Sequence, residues 1–103
     1  MRLISWNVNG IRSVVKKGFL NFVTHENPDI LCLQETRADP SVIDLKLAQY
    51  LSYWNTPTRK GYSGTAVFTK IRPLGVTNGM GIAAHDDEGR VITLEYSDFY
   101  LVN

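Results

Sequence analysis

The sequence predicts an α/β fold in which one βαβ unit is followed by a mainly β second half. Two short apolar runs, Met1 to Trp6 and Asp29 to Gln34, flank a segment of helical period from Ile11 to Glu26. From Tyr50 onward the period shifts towards two. The length of 103 residues, with 44% hydrophobic and 20% charged residues, fits one soluble globular domain at most.

Taken in order, Met1 to Trp6 reads as the first strand. Ile11, Val14, Val15, Phe19, Phe22 and Val23 then recur at helical spacing, while Arg12, Lys16, Lys17 and Asn21 point elsewhere. Gly18 is where that helix is expected to break or bend. Pro28 and Asp29 end it and launch the second strand. Asp39-Pro40 supplies an N-cap and a first-turn proline for a helix through about Gln49, with Val42, Leu45 and Ala48 as its inner face. Tyr50 to Asn55, Gly64 to Lys70, Leu74 to Thr77, Val91 to Tyr96 and Phe99 to Val102 follow as strands. Ile92, Leu94 and Tyr96 alternate with Thr93 and Glu95, and Ser97-Asp98 is a two-residue hairpin turn into the last strand.

A formal net charge of +1 gives no support to nucleic-acid binding by overall charge, so any such contact must come from local clusters. The single cysteine, Cys32, lies between apolar strand neighbours and reads as a buried, inert thiol; no intrachain disulfide can form, which fits a reducing cytoplasm. Met1 leads straight into strand-like sequence without a basic segment and apolar stretch of the secretory kind. No apolar run approaches the roughly 18 residues of a membrane helix.

The βαβ reading carries the chemistry. Parallel strands joined by a crossover bring their carboxyl ends to one edge of a sheet. That places Asn7 and Glu35 on the order of 5 Å apart if the strands are neighbours. A hard divalent cation takes oxygen ligands, keeps several waters and is often held by one or two carboxylates plus a substrate phosphate. Glu35 is a candidate ligand with Asn7 beside it. On pattern alone, however, Asn7 and Asn9 read first as turn or cap residues before Gly10, and Glu35 as a solvated loop carboxylate.

Arg59-Lys60-Gly61-Tyr62-Ser63-Gly64 combines two cations, two glycines and a phenol, a set suited to approaching phosphate, although in isolation an ordinary exposed turn into the next strand is the better reading. Arg12, Lys16 and Lys17 form a further basic group whose default is a solvated helix face. His85-Asp86-Asp87-Glu88-Gly89-Arg90 reads as a solvated turn between strands rather than a metal cluster, with Arg90 available for an ion pair or a phosphate. His25, near a helix end, reads as a dipole-complementing surface residue.

Ser5-Trp6-Asn7-Val8-Asn9-Gly10-Ile11-Arg12, Pro28 to Thr36, Gly61-Tyr62-Ser63-Gly64 and Glu88-Gly89-Arg90-Val91 occur in an order that resembles the amino-terminal part of exonuclease III-type apurinic/apyrimidinic endonucleases, within the endonuclease/exonuclease/phosphatase superfamily. The resemblance covers essentially the whole chain. It implies half of a four-layered α/β sandwich with mainly antiparallel sheets, residues 1–103 being the amino-terminal half of the domain. It implies a Mg²⁺-dependent site, with Mn²⁺ as a substitute, in which Glu35 is the metal ligand. Asn7 helps hold the metal-site and phosphate hydrogen bonds, and Asn9 is an auxiliary position that relatives fill with asparagine or aspartate. By the same resemblance Arg12, Ser13 and Lys17 grip DNA phosphates, Gln34 contacts a groove near the lesion, and Gly61 and Tyr62 contact the backbone, with Arg90 near the DNA or its supporting loop. The reaction implied is hydrolysis of a DNA phosphodiester at abasic sites and 3′ ends, in the cytoplasm or, in a eukaryote, the nucleus.

Members of that family continue through a catalytic tyrosine, an Asp-x-Asn segment and a late Asp-His pair, none of which is in these 103 residues. Phe99 to Asn103 is still strand-like at the last residue, which favours a chain cut within its sheet, although natural domains also end on docked strands. The expected partners are therefore DNA containing abasic sites and either a complementary carboxyl-terminal half or a second copy, with no membrane. Two other readings stay open: a noncatalytic, self-associating half-domain, and a segment of a superfamily phosphatase acting on a phosphoinositide or other small phosphoester.

Overall fold

The computed structural model describes residues 1–42 and 45–103 and forms two sheets with helices packed on one of them. The first sheet has the order β1 (Leu3–Asn7), β2 (Ile30–Gln34), β4 (Thr65–Thr69), β3 (Leu51–Asn55). β1 and β2 are parallel, with Asn7 opposite Gln34, and the remaining pairs are antiparallel, so this sheet is mixed. The second sheet, β5 (Gly75–Asn78), β6 (Ile92–Glu95) and β7 (Tyr100–Val102), is antiparallel throughout. Ser97 and Asp98 make the turn between β6 and β7 as expected, closed by the Tyr96 N–H donating to Phe99 O at 2.9 Å.

Side-chain alternation along β2 divides the core in two. Leu31 and Leu33 face the helices, where they meet Ile11, Phe19, Val23, Ala66 and Phe68. Ile30 and Cys32 face the second sheet, where they meet Val67, Ile92, Leu94 and Tyr96. β2 and β4 are covered on both sides, hence their nearly continuous apolar sequence. Trp6 closes the helical layer, its ring 5.7 Å from Phe19 and 4.9 Å from Phe22. The layers among the described residues are helices, mixed sheet and antiparallel sheet. β1 is left partly bare on its other face: Leu3, Ser5 and Asn7 are exposed.

The crossover helix does break at Gly18, into α1 (Ile11–Lys16) and α2 (Phe19–Glu26), because Gly18 takes the left-handed φ of 103° that a side chain resists. The helix expected from Pro40 to Gln49 is instead a 3₁₀ turn, Pro40–Val42, with residues 45–49 irregular; residues 43–44 and the Val42 side chain lie outside the described residues. Asp39 does begin that turn, its Oδ1 accepting the Ser41 N–H at 2.8 Å. Leu45 and Leu47 both pack on the helical core while Ala48 is exposed. Two apolar residues two apart reach one surface from an extended chain and not from one face of a helix. A short helix not expected from the sequence, α3 (Ala83–Asp86), precedes β6, and its Asp86 accepts the N–H groups of Met80 at 2.8 Å and Ile82 at 2.9 Å.

Candidate metal and phosphate site at the strand ends

The parallel pairing sets Asn7 beside Gln34 at the carboxyl edge and delivers Glu35 one residue beyond. The segment after β2 is then fixed by main-chain hydrogen bonds from both sides. Gly10 N–H donates to Glu35 O at 2.8 Å and Ile11 N–H to Thr36 O at 2.9 Å, while Thr36 N–H and Arg37 N–H donate to Gly64 O and Ser63 O at 3.1 and 2.8 Å. Glu35 and Arg37 both adopt left-handed backbone, at φ 53° and 54°. Residues with side chains hold that region only where their surroundings impose it, and such positions cluster at functional sites.

Gly10 is the N-cap of α1, no side chain caps the helix, and the Ile11 N–H is taken by Thr36 O, so neither Asn7 nor Asn9 has a capping role. The Asn7 Oδ1 accepts the Asn9 N–H at 3.1 Å in an Asx turn, and Asn9 turns the chain at φ 47°. Asn7 thus has the turn-forming role the pattern suggested and retains its amide N–H₂ and a second oxygen lone pair.

Two cavities meet at Arg37, Gly61 and Tyr62. The smaller, about 240 Å³, is lined by Glu35, Arg37, Gly61, Tyr62, Ser63 and Arg90. The larger, about 360 Å³, is cationic: Arg12, Arg37, Arg59 and Lys60 line it beside Tyr62, with Asp39 as its carboxylate. Tyr62 is the hub between them. Its hydroxyl donates to Glu88 Oε2 at 2.5 Å and accepts from Arg90 Nη2 at 2.9 Å, and the Arg59 and Arg90 guanidinium carbons lie 5.0 and 5.4 Å from its ring centroid. The Tyr62 hydroxyl first, and then Arg90, hold the Glu88 carboxyl below its ordinary range.

Of the residues expected from the sequence, Glu35, Gly61, Tyr62 and Arg90 meet in the smaller cavity, and Arg12 joins Gly61 and Tyr62 in the larger. Ser13 and Lys17 are exposed on and after α1 and line neither. The Gln34 side chain is turned between the sheets, its Nε2 donating to Ser5 Oγ at 3.0 Å and Asn103 Oδ1 at 2.7 Å. Arg37, which no sequence pattern singled out, lines both cavities and pairs with Glu35 Oε2 at 3.2 Å. Its place two residues after the strand-end carboxylate was the available signal.

Among the described residues no three His, Cys, Asp or Glu side chains converge on a point. One carboxylate with an asparagine amide at the neighbouring strand end suits a hard cation that completes its shell with water and phosphate oxygen. It does not suit structural zinc, which takes four protein ligands.

The profile of the Endonuclease/Exonuclease/phosphatase family matches residues 4–103. The chain is 52% identical over 103 residues to the exodeoxyribonuclease of Bacillus subtilis (strain 168), covering 99% of this chain and 41% of that protein. It is 53% identical over 105 residues to the DNA-(apurinic or apyrimidinic site) endonuclease of Dictyostelium discoideum, covering 100% of this chain and 29% of the relative. Among solved structures, the 3′-5′ exonuclease NExo of Neisseria meningitidis superposes with a TM-score of 0.83 at 27% identity, over 100% of this chain and 40% of that one. The chain therefore spans less than half the length of these relatives.

Proposed function

We propose that this chain, which belongs to the endonuclease/exonuclease/phosphatase family, is the amino-terminal part of a divalent-metal-dependent DNA-repair nuclease that hydrolyses phosphodiesters at abasic sites and 3′ ends. The observation that carries the reading is the placement of Glu35 at the edge of a cavity flanked by Arg37, Tyr62 and Arg90, next to a second cavity with Arg12, Arg59 and Lys60. Names of relatives that act on apurinic or apyrimidinic sites and as exodeoxyribonucleases support the substrate.

In this reading Glu35 is the anionic metal ligand, Asn7 orients the ion's water or a phosphate oxygen, and Asn9 holds Asn7 through the Asx turn. A bound Mg²⁺ or Mn²⁺ supplies Lewis-acid stabilisation of charge developing on the phosphate. Arg12 and Tyr62, with Ser13 and Lys17 further along α1, track the DNA backbone, and the Gly61 backbone can approach a phosphate closely. Gln34, with both amide hydrogens directed inward, acts on DNA only through its oxygen or by bracing the edge. Arg90 positions Tyr62.

The three observed layers are one part of a four-layered sandwich, and the further length of the relatives supplies the water-activating and phosphate-orienting residues. The isolated chain is accordingly inactive, and its bare β1 face and open β7 edge bind a complementary carboxyl-terminal half or a second copy.

The test is Mg²⁺-dependent nicking of an abasic duplex by a complete enzyme containing this segment. Glu35→Gln keeps size and removes the anionic ligand, so it is expected to weaken the Mg²⁺ titration and lower turnover far more than DNA affinity. An unchanged titration refutes the assignment. Faster turnover of a phosphoinositide than of abasic DNA favours the phosphatase reading, and robust nicking by the purified 103-residue chain refutes its incompleteness.

A further inference from the structure

Arg37 is a cation that both cavities share. Its backbone is tied to Ser63 O by its N–H, yet its side chain is about half exposed and, among the described residues, held at the tip by one hydrogen bond, Nη2 to Glu35 Oε2 at 3.2 Å. A long side chain on an immobilised left-handed residue is a pivot. On one side it meets the carboxylate assigned to the metal. On the other lies the larger cavity, where Arg12, Arg59 and Lys60 outnumber Asp39, whose Oδ1 already accepts the Ser41 N–H. A phosphate there would be attracted electrostatically, and a guanidinium can grip it through two parallel N–H groups.

We propose that Arg37 couples the two sites: it neutralises Glu35 when no metal is bound, and turns to a backbone phosphate in the larger cavity when Glu35 takes a divalent cation. The inference rests on the reading of Glu35 as the metal ligand and adds a role for a residue that reading leaves unused. Coupling of this kind is reciprocal. The metal releases Arg37 for DNA, and DNA, by drawing Arg37 away, opens Glu35 to the metal by the same factor. Each ligand alone meets a site the other has not yet prepared.

The experiment uses the 103-residue chain and three variants: Arg37→Asn, which removes the charge while tolerating left-handed backbone; Arg37→Lys, which keeps a point charge; and Glu35→Gln. Mg²⁺ affinity is measured calorimetrically without DNA. Affinity for a short fluorescent duplex is measured by anisotropy with and without saturating Mg²⁺ at constant ionic strength, so that general screening is common to all variants. Circular dichroism establishes that each variant is folded. Arg37→Asn is expected to bind Mg²⁺ alone about 2- to 5-fold more tightly, the worth of a partly exposed ion pair. It is also expected to lose the Mg²⁺-dependent gain in DNA affinity expected of the parent, with Arg37→Lys retaining part of it. An Arg37→Asn chain whose Mg²⁺-dependent gain equals the parent's overturns the coupling, even if its Mg²⁺ affinity rises. Mg²⁺ binding unaffected by Glu35→Gln overturns instead the metal assignment on which the coupling rests.

Discussion

Gly89 is the residue on which the two loops of the site are assembled, and replacing it by alanine is expected to cost far more than its surface sequence context suggests. Its φ is 63°, and an added Cβ would lie 2.7 Å from Asn55 O, 2.7 Å from Pro57 N and 2.8 Å from the Thr56 carbonyl carbon. All three are main chain, so no side chain can swing away. The left-handed conformation costs an alanine about 1–2 kcal/mol. Relieving the backbone overlap adds about 1–3 kcal/mol. The sum, about 2–5 kcal/mol, is a large share of the roughly 5–15 kcal/mol typical of a domain. The displacement also spreads, since Thr65 Oγ1 donates to Gly89 O at 3.1 Å and Thr58 N–H to Asp87 O at 3.3 Å. Gly61→Ala is the control: its φ is 71°, close to that of Gly89, but its Cβ would meet nothing within 4 Å, so it carries the conformational cost alone. Urea unfolding followed by tryptophan fluorescence, with Trp54 next to Asn55 as a nearby probe, measures both. Gly89→Ala is expected to lie about 1–3 kcal/mol below Gly61→Ala. Equal midpoints and slopes for the two variants would refute the close packing of these loops.

Three other outcomes follow from local chemistry. Burial pushes the Cys32 thiol up to about 11, from an ordinary 9.0, so a thiol reagent at pH 8 should label it only as the chain unfolds; the folded form holds its proton longer, so stability is present below about 9 and falls as pH rises from there towards 11, and Cys32→Ala should flatten that fall. Tyr62→Phe removes the hydroxyl that lowers Glu88, so the Glu88 titration, read by NMR, should move up towards its ordinary 4.5; in the parent the contact is complete above that value and is lost as pH falls through the depressed one, and an unmoved titration would refute the hydrogen bond. Val102→Lys should weaken self-association or pairing with a complementary half in sedimentation at rising concentration without unfolding the chain, because Val102 and Tyr100 face outward at 67% and 68% exposure; a concentration-independent monomer for both parent and variant would refute pairing through this strand.

Much of the fold was legible because two periodicities did the sorting. The helical spacing of Ile11, Phe19 and Val23, the break at Gly18, and the strands from Ile30, Thr65 and Ile92 all appear within a residue or two of where the pattern put them. The pattern failed where it was silent. In Phe99 to Val102 every residue is apolar or aromatic, so nothing marked Phe99 and Leu101 as the pair packed on the core and Tyr100 and Val102 as the outward pair. Residues 45–49 offered a helical spacing through Leu45 and Ala48, but the burial of Leu47 prevailed over it. α3 is one turn in which Asp86 accepts backbone N–H groups from the preceding loop, a contact that leaves no periodic trace.

The site was legible as residue types and not as orientations, and Gln34 shows why. Its neighbour Leu33 packs on the helices, so alternation alone sends the Gln34 side chain towards the second sheet. There Asn103 receives it, and the Asn103 Nδ2 in turn donates to Leu33 O at 3.1 Å and Ala66 O at 3.0 Å, joining β7 to both β2 and β4. With Gln34 pinned inward, the chain leaves the strand at Glu35 through a left-handed turn whose carbonyl is held by Gly10. The backbone thereby delivers Glu35 to the edge, where its Oε2 pairs with Arg37 Nη2 at 3.2 Å. On the proposed reading, charge then decides whether that guanidinium or a cation occupies the carboxylate.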